Sequence, residues 1–118
     1  MAKTVMVVDD DPEVNESITA LLEGNGYATI SANSGDDCLE MLKSMAPDLI
    51  LLDIMMPGTP AKEIINKIKG IKIIFLSGVK MSEHQKSELL KGNIVDFIQK
   101  PFDIDDFTNK IKTILGDD

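Results

Sequence analysis

Residues 47–58 read Pro-Asp-Leu-Ile-Leu-Leu-Asp-Ile-Met-Met-Pro-Gly, and the interpretation of the whole chain starts from this stretch. Leu49 to Leu52 are four consecutive apolar residues. They leave no polar face, which is typical of a strand buried on both sides of a parallel sheet. Asp53 follows directly, and open α/β sheets bind their ligands outside the carboxyl ends of central strands. The stretch therefore predicts a buried central strand with Asp53 at the ligand-binding edge.

Strand-like apolar runs alternate with helical patterns five times along the chain, which is typical of repeated βα units around a parallel sheet. Right-handed crossovers would bring the carboxyl ends of all the strands to one rim of that sheet. The second strand is the least apolar, as an edge strand would be. The predicted strands are Val5–Val8, Tyr27–Ser31, Leu49–Leu52, Ile73–Leu76 and Ile94–Ile98.

Local signals mark the starts of the predicted helices. Asp11-Pro12 and Thr59-Pro60 each combine an N-cap residue with proline at the first helical position. Ser34 with Asp37, and Ser82 with Gln85, resemble capping boxes. The last helix is predicted to start near Asp103. The expected inward-facing residues are Val14, Ile18, Leu21 and Leu22; Cys38, Met41, Leu42 and Met45; Ile64, Ile65 and Ile68; and Ile104, Phe107, Ile111, Ile114 and Leu115.

Length and charge limit the classes of function. A chain of 118 residues is long enough for one domain with a real core, and we expect a single domain over 1–118 with no output domain. The net charge is −8 and every cation is lysine, which opposes direct binding to nucleic acid and to anionic membranes. Cys38 is the single cysteine and is predicted to be a small core residue. No signal peptide is present near the first strand, so a cytoplasmic location is expected.

Polar residues follow four of the five predicted strands: Asp9 and Asp10, Asp53, Ser77 and Lys100. In a flavodoxin-like strand order of 2-1-3-4-5, strands 1 and 3 flank the point where the order reverses, so their acids would converge. Carboxylates about 5 Å apart repel by roughly 3 kcal/mol at an effective dielectric near 20, so a cation is expected among them. Mg²⁺ suits that position, because it binds a few carboxylate oxygens and keeps positions for water and phosphate.

The chain resembles the receiver domain of two-component response regulators, which are CheY-like proteins. The resemblance rests on four motifs in the same order and at the expected strand ends: Val-Val-Asp-Asp-Asp-Pro, Leu-Leu-Asp-Ile-Met-Met-Pro-Gly, Leu-Ser-Gly and Lys-Pro-Phe. It covers essentially the whole chain. It implies a flavodoxin-like (βα)5 three-layer sandwich with a five-stranded parallel sheet in the order 2-1-3-4-5.

The resemblance also implies roles for individual residues. Asp53 would be the phosphoacceptor, and Lys100 would bind the phosphoryl group. Ser77 would be the switch hydroxyl, and Phe97 matches the aromatic switch position, although an apolar strand residue could also be plain core. The implied ligands of Mg²⁺ are Asp9, Asp10, Asp53 and the backbone carbonyl of Met55.

The implied activity is that of a phosphoacceptor signalling domain rather than an enzyme. A sensor histidine kinase or phosphotransfer protein would donate the phosphoryl group. A downstream protein or output domain would bind the face made by the fourth helix, fifth strand and fifth helix, and pairing of two copies stays open. Two departures from the family pattern concern Met55, where many relatives are polar, and Thr59-Pro60-Ala61, where an Asp-Gly pair is common. Met55 borders the path of a hydrolytic water, so an altered lifetime of the phosphorylated state is expected.

Other interpretations remain. Asp9-Asp10-Asp11 contains an Asp-x-Asp pattern, so a small haloacid-dehalogenase-like phosphatase could use Asp9 as its nucleophile, but that interpretation leaves Asp53 without a role. A receiver-like binding domain that is never phosphorylated and a flavin-binding relative of the same fold are further alternatives. Asp11 is better explained as a favourable charge at a helix N-terminus. His84 is expected on a solvated helix face.

Overall fold

Strands and helices alternate through the part of the chain that the computed structural model describes, which comprises residues 3–54, 61–78, 82–89, 92–100 and 102–116. This order confirms the predicted βα units. The elements are β1 (Thr4–Val8), α1 (Pro12–Gly24), β2 (Ala28–Ala32), α2 (Gly35–Met41), β3 (Leu49–Asp53), α3 (Ala61–Lys67), β4 (Lys72–Ser77), α4 (Glu83–Leu89), β5 (Ile94–Gln99) and α5 (Ile104–Leu115).

The five strands form one parallel sheet in the order β2-β1-β3-β4-β5. This is the predicted flavodoxin-like order, with β2 at one edge as its composition indicated. β3 lies at the centre of the sheet, and all five of its residues are buried. As expected, β3 has no polar face because helices cover both sides of the sheet.

Alternate strand residues point to opposite faces, which divides the core into two layers. On one face, Val5, Val7, Leu49 and Leu51 belong to a buried cluster with residues of α1 and α5, including Ile18, Leu22, Phe107 and Ile111. On the other face, Met6, Val8, Ile50 and Leu52 belong to a cluster with Cys38 of α2, Ile64 of α3 and Ile68, which directly follows α3. The three-layer sandwich is therefore confirmed, and Cys38 is a core residue with no exposed surface.

The helix starts follow the local signals. The Asp11 carboxylate accepts a hydrogen bond from the Glu13 N–H at 3.0 Å, as an N-cap does. Ser82 and Gln85 form a reciprocal capping box, with bonds of 3.0 and 3.2 Å. At α2 the Ser34 hydroxyl accepts from the Asp37 N–H at 3.0 Å, while the Asp37 carboxylate accepts from the Asn33 N–H at 3.2 Å. The capping residues at these three starts were predicted correctly.

Two predicted core residues are wrong. Met45 is 44% exposed because α2 ends at Met41, four residues before it. Ile104 is 59% exposed because it is the first residue of α5, one turn before the residues that pack on the sheet. A periodic pattern indicates a direction around the helix axis, but it does not show whether a neighbour is present at the helix end.

The predicted helix start at Thr59-Pro60 and the predicted metal ligand, the backbone carbonyl of Met55, lie outside the described residues. Within the described ranges, the helices are too short or too polar for any of them to cross a lipid bilayer.

Candidate functional site

The sheet brings the predicted polar residues to one rim. Asp9 follows the last residue of β1, and Asp53 and Ser77 are the last residues of β3 and β4. Lys100 follows β5 directly. Since β1, β3, β4 and β5 are successive parallel neighbours, all of these positions lie at their carboxyl ends.

Three carboxylates meet at this rim and form what we call the acidic cluster: Asp9, Asp10 and Asp53. One carboxylate oxygen of each lies within 4.8 Å of those of the other two. Asp9 is 1% exposed and Asp53 is 5% exposed, whereas Asp10 is open to solvent. At an effective dielectric near 20, two charges at that separation repel by about 3.5 kcal/mol. Burial of two of the three acids therefore requires positive charge close by.

Lys100 supplies part of that charge. Its ammonium lies 2.7 Å from Asp9 Oδ2 and 3.1 Å from Asp53 Oδ2, so one cation bridges the acids of β1 and β3. Burial lowers the pKa of Lys100, but hydrogen bonds to Asp9 and Asp53 and the charges of these acids outweigh it and raise the pKa above its ordinary value. The ammonium is therefore firmly protonated at neutral pH.

Backbone hydrogen bonds hold the loops of the rim to one another. The Lys100 N–H donates to the Ser77 carbonyl at 2.7 Å, and the Ile54 N–H donates to the Leu76 carbonyl at 3.0 Å. The Asp9 carboxylate also accepts from the Asp11 N–H at 3.0 Å. These hydrogen bonds fix the loops that carry the side chains of the site relative to one another.

The two predicted switch residues lie on neighbouring strands, Ser77 on β4 and Phe97 on β5. Ser77 is 5% exposed. Apart from the two chain neighbours of Gly78, no described residue places a heavy atom within 4 Å of the position that a Cβ on Gly78 would take. Phe97 is 9% exposed, and its ring centroid lies 5.7 Å from that of Phe75. The ring already lies inside the protein, and its movement on activation stays a prediction.

Three residues that were given ordinary explanations behave accordingly. Asp11 caps α1, and His84 is exposed on α4. Burial, followed by the nearby charge of Asp37, raises the pKa of the Cys38 thiol to about 11. Its complete burial and this raised pKa both disfavour the reactive thiolate, as expected of a core residue.

The interpretation of the sequence missed Asn15, a buried residue of α1 that is 4% exposed and contacts the backbone of Asp9. Its amide donates to main-chain carbonyls of β1, β2 and Asp9 itself. A signal was available. Asn15 stands three residues before Ile18 and seven before Leu22, so it is a polar residue on the apolar stripe of its helix.

The donor set of the acidic cluster consists of carboxylate oxygens, the ligands that hard cations such as Mg²⁺ prefer. The residues present therefore fit a divalent cation. Fold and site together define a class: flavodoxin-like α/β proteins with an acidic cluster and a lysine at the carboxyl ends of the strands.

The comparisons with known proteins place the chain within that class. A family model described as "Response regulator receiver domain" matches residues 5–112. The chain belongs to the response regulator receiver domain family.

Similar proteins are found among regulators of different lengths. The phosphate regulon transcriptional regulatory protein PhoB of Pseudomonas aeruginosa is 33% identical, over 98% of this chain and 52% of PhoB. The polar-differentiation response regulator DivK of Brucella ovis is 31% identical, over 99% of both chains. The chain thus spans about half the length of PhoB and nearly all of DivK.

Solved structures agree with the fold. The receiver domain protein (CheY-like) from Methanospirillum hungatei superposes with a TM-score of 0.88 at 28% identity, over 98% of this chain and 95% of that one. The receiver protein from Burkholderia phymatum has a TM-score of 0.84 at 30% identity, over 97% and 95%.

Proposed function

We propose that residues 1–118 form a single receiver domain that accepts a phosphoryl group on Asp53, in a Mg²⁺-dependent reaction, from a sensor histidine kinase or phosphotransfer protein. The observation that supports this most directly is the bridging Lys100 ammonium, which pairs with Asp53 and Asp9 within a cluster of three acids. The buried carboxylate of Asp53 is a candidate nucleophile, Lys100 is a fixed cation beside it, and the acids together could hold the divalent cation that phosphoryl transfer needs.

Asp53 needs no general base, because a carboxylate is already ionised. One of its oxygens attacks the phosphorus atom of the donor, a new O–P bond forms, and the P–N bond to the donor histidine breaks. The imidazole leaves with the electron pair of that bond. Lys100 orients the attacking carboxylate and offsets negative charge on the transferring group.

Asp9, Asp10, Asp53 and the backbone carbonyl of Met55 would hold the Mg²⁺ ion. When bound, Mg²⁺ would neutralise charge on the phosphoryl oxygens and on the acidic cluster. Asp10 is exposed, so it is accessible to a cation arriving from solvent.

Phosphorylation would then alter the surface around β5. The Ser77 hydroxyl can donate a hydrogen bond to a phosphoryl oxygen, and the neighbouring Gly78 has no side chain that would crowd the group. β5 is attached to α5, because the Lys110 ammonium donates to the Phe97 carbonyl at 3.2 Å and pairs with Asp96 at 3.0 Å. A shift of β5 would therefore reach the face of α4, β5 and α5, where a downstream protein, an output domain or a second copy would bind.

Incubation with Mg²⁺ and acetyl phosphate, followed by intact-mass measurement, tests the proposal. We expect the wild type to gain the mass of one phosphoryl group and Asp53→Asn to gain none. Asp11→Asn is the matched control, because it removes an acid from the same rim and leaves an equally good N-cap. This control should be phosphorylated like the wild type.

Other results would contradict the proposal. Absence of added mass on the wild type, or the same addition to Asp53→Asn, would overturn the assignment. Phosphorylation mapped to Asp9, together with turnover of phosphomonoesters, would favour the haloacid-dehalogenase-like alternative. Equal rates of loss of the phosphoryl group from wild type and Met55→Asn would contradict the expected influence of Met55 on lifetime.

A further inference from the structure

We propose that Asn15 is a positioning residue for the metal site: its buried amide holds the acidic turn, residues 9–11, in the geometry that Mg²⁺ requires. The inference rests on the proposed function, since it concerns the affinity of the acidic cluster for the ion.

The Asn15 amide is surrounded by main-chain acceptors. Its Nδ2 donates to the carbonyl of Ala32 at 3.1 Å, to that of Val7 at 3.2 Å and to that of Asp9 at 3.4 Å. Carbonyl oxygens cannot donate hydrogen bonds, so the nitrogen rather than the oxygen of the amide must face them. The two amide hydrogens are shared among three acceptors, and this fixes the side chain from three directions.

These acceptors come from the ends of two strands and from the acidic turn itself. The Ala32 carbonyl at the end of β2 also accepts from the Asp9 N–H at 3.2 Å. Asp9 is therefore held through its backbone by β2 and Asn15. Its carboxylate is held on the other side by Lys100 and by the Asp11 N–H. Because Asn15 belongs to α1, its hydrogen bond links Asp9 to that helix.

Packing alone gives no reason for an amide at this position. Asn15 is 4% exposed and shares the buried face of α1 with Ile18 and Leu22. A buried amide carries a desolvation cost unless it is hydrogen-bonded, and an apolar residue would fill the same stripe without that cost. The bonds of the amide are all to the carboxyl ends of β1 and β2 and to Asp9, which carries a candidate ligand of the ion.

Mg²⁺ demands nearly ideal octahedral geometry at about 2.0–2.1 Å from its ligands, so small displacements of Asp9 or Asp10 weaken binding. Residues that orient metal ligands without touching the ion typically change metal affinity by about 10–100-fold when they are removed. We expect an effect of that size from loss of the Asn15 amide.

The test compares Asn15→Leu with Asn25→Leu. Leucine has nearly the shape of asparagine but no donor. Asn25 lies at the end of the same helix, is exposed, and donates to the Leu21 carbonyl at 2.8 Å, so Asn25→Leu removes a similar bond far from the acids. The dissociation constant of Mg²⁺ is measured by calorimetric titration at a temperature where circular dichroism shows each protein to be folded. Phosphorylation by acetyl phosphate is then followed as a function of Mg²⁺ concentration.

For Asn15→Leu we expect a dissociation constant about 10–100-fold higher, a matching rise in the half-saturating Mg²⁺ concentration, and a maximal rate at saturating Mg²⁺ within about threefold of the wild type. Asn25→Leu should differ less than about twofold in each quantity, because its lost bond is remote from the ligands. A general loss of folded protein would lower the maximal rate instead and would leave the dissociation constant of the folded fraction unchanged.

An unchanged Mg²⁺ dissociation constant in folded Asn15→Leu would overturn the inference and leave the proposed function intact. A wild type that binds no Mg²⁺ would overturn both. If Asn15→Leu does not fold, Asn15→Ser replaces it; this variant also lacks the amide donors and carries the same expectation.

Discussion

Replacement of Lys100 by methionine should destabilise the protein strongly in the absence of a divalent cation. Methionine keeps the unbranched, flexible character of the side chain and removes its charge. The ammonium lies 2.7 Å from Asp9 Oδ2 and 3.1 Å from Asp53 Oδ2. At an effective dielectric near 20 these attractions amount to about 6 and about 5 kcal/mol, before the cost of desolvating the charges is subtracted.

The net effect is smaller than these attractions. Removing one member of a buried ion pair typically costs about 3–5 kcal/mol, because the remaining charge is buried without a partner. The Lys100 side chain is 21% exposed, whereas the side chains of Asp9 and Asp53 are 1% and 7% exposed, so water partly screens the charge of Lys100. We therefore expect a loss of about 3 kcal/mol in the free energy of unfolding in EDTA. Mg²⁺ should restore more stability to the variant than to the wild type, because the ion then supplies the missing countercharge.

Urea unfolding in EDTA and in saturating Mg²⁺ measures this effect. Circular dichroism is the suitable probe, since the chain has no tryptophan and one tyrosine. Lys43→Met is the matched control, because Lys43 pairs with Glu40 at 3.0 Å with both side chains more than 70% exposed. Such a surface pair contributes about 0–1 kcal/mol. The reasoning is refuted if Lys100→Met and Lys43→Met lose equal stability in EDTA, or if Mg²⁺ stabilises Lys100→Met no more than the wild type.

Three further predictions concern the body of the fold. The Cys38 thiol has a pKa of about 11 against 9.0 for an ordinary thiol, so the folded state keeps its proton where the unfolded chain loses it. The free energy of unfolding, measured by urea titration at each pH, should therefore fall by about 1.9 kcal/mol between pH 9 and pH 11, and it should fall less in Cys38→Val. Asp103 caps α5 by accepting from the Asp106 N–H at 3.1 Å, so Asp103→Ala should cost about 1 kcal/mol, whereas an equal loss in Asp103→Asn would argue against capping. Phe107 is 1% exposed and stacks on Phe102 with centroids 4.7 Å apart; Phe107→Ala should cost about 3–5 kcal/mol, and a loss below 1 kcal/mol would mean that the core around α5 is not packed as described.

Much of the fold could be predicted because its signals are local. The apolar run Leu49 to Leu52 indicated a strand covered on both sides, and β3 is indeed buried throughout. The caps at Asp11 and Ser82 were recognisable because the side chain and the N–H it binds are within three residues of each other. The predicted burial of Met45 and Ile104 was wrong, because burial at the end of a helix depends on neighbours that are distant in the chain.

The candidate site, too, could be predicted only in part. Asp9, Asp53, Ser77 and Lys100 were identified from their places at strand ends, because parallel strands joined by right-handed crossovers bring such positions to one rim. The sequence did not reveal that one ammonium bridges two acids, or that an amide on the buried face of α1 supports the acidic turn.

The amino-acid sequence was sufficient for the order of strands and helices, the starts of α1, α2, α4 and α5 and the identity of the acids, because each depends on residues close together or on a regular topology. Only the tertiary structure decided that Lys100 pairs with Asp9 and Asp53, which are 91 and 47 positions away, and that Asn15 meets the Ala32 carbonyl 17 positions on. Hydrogen bonds and ion pairs depend on tenths of an ångström and on burial. Those quantities arise only after distant segments have packed together.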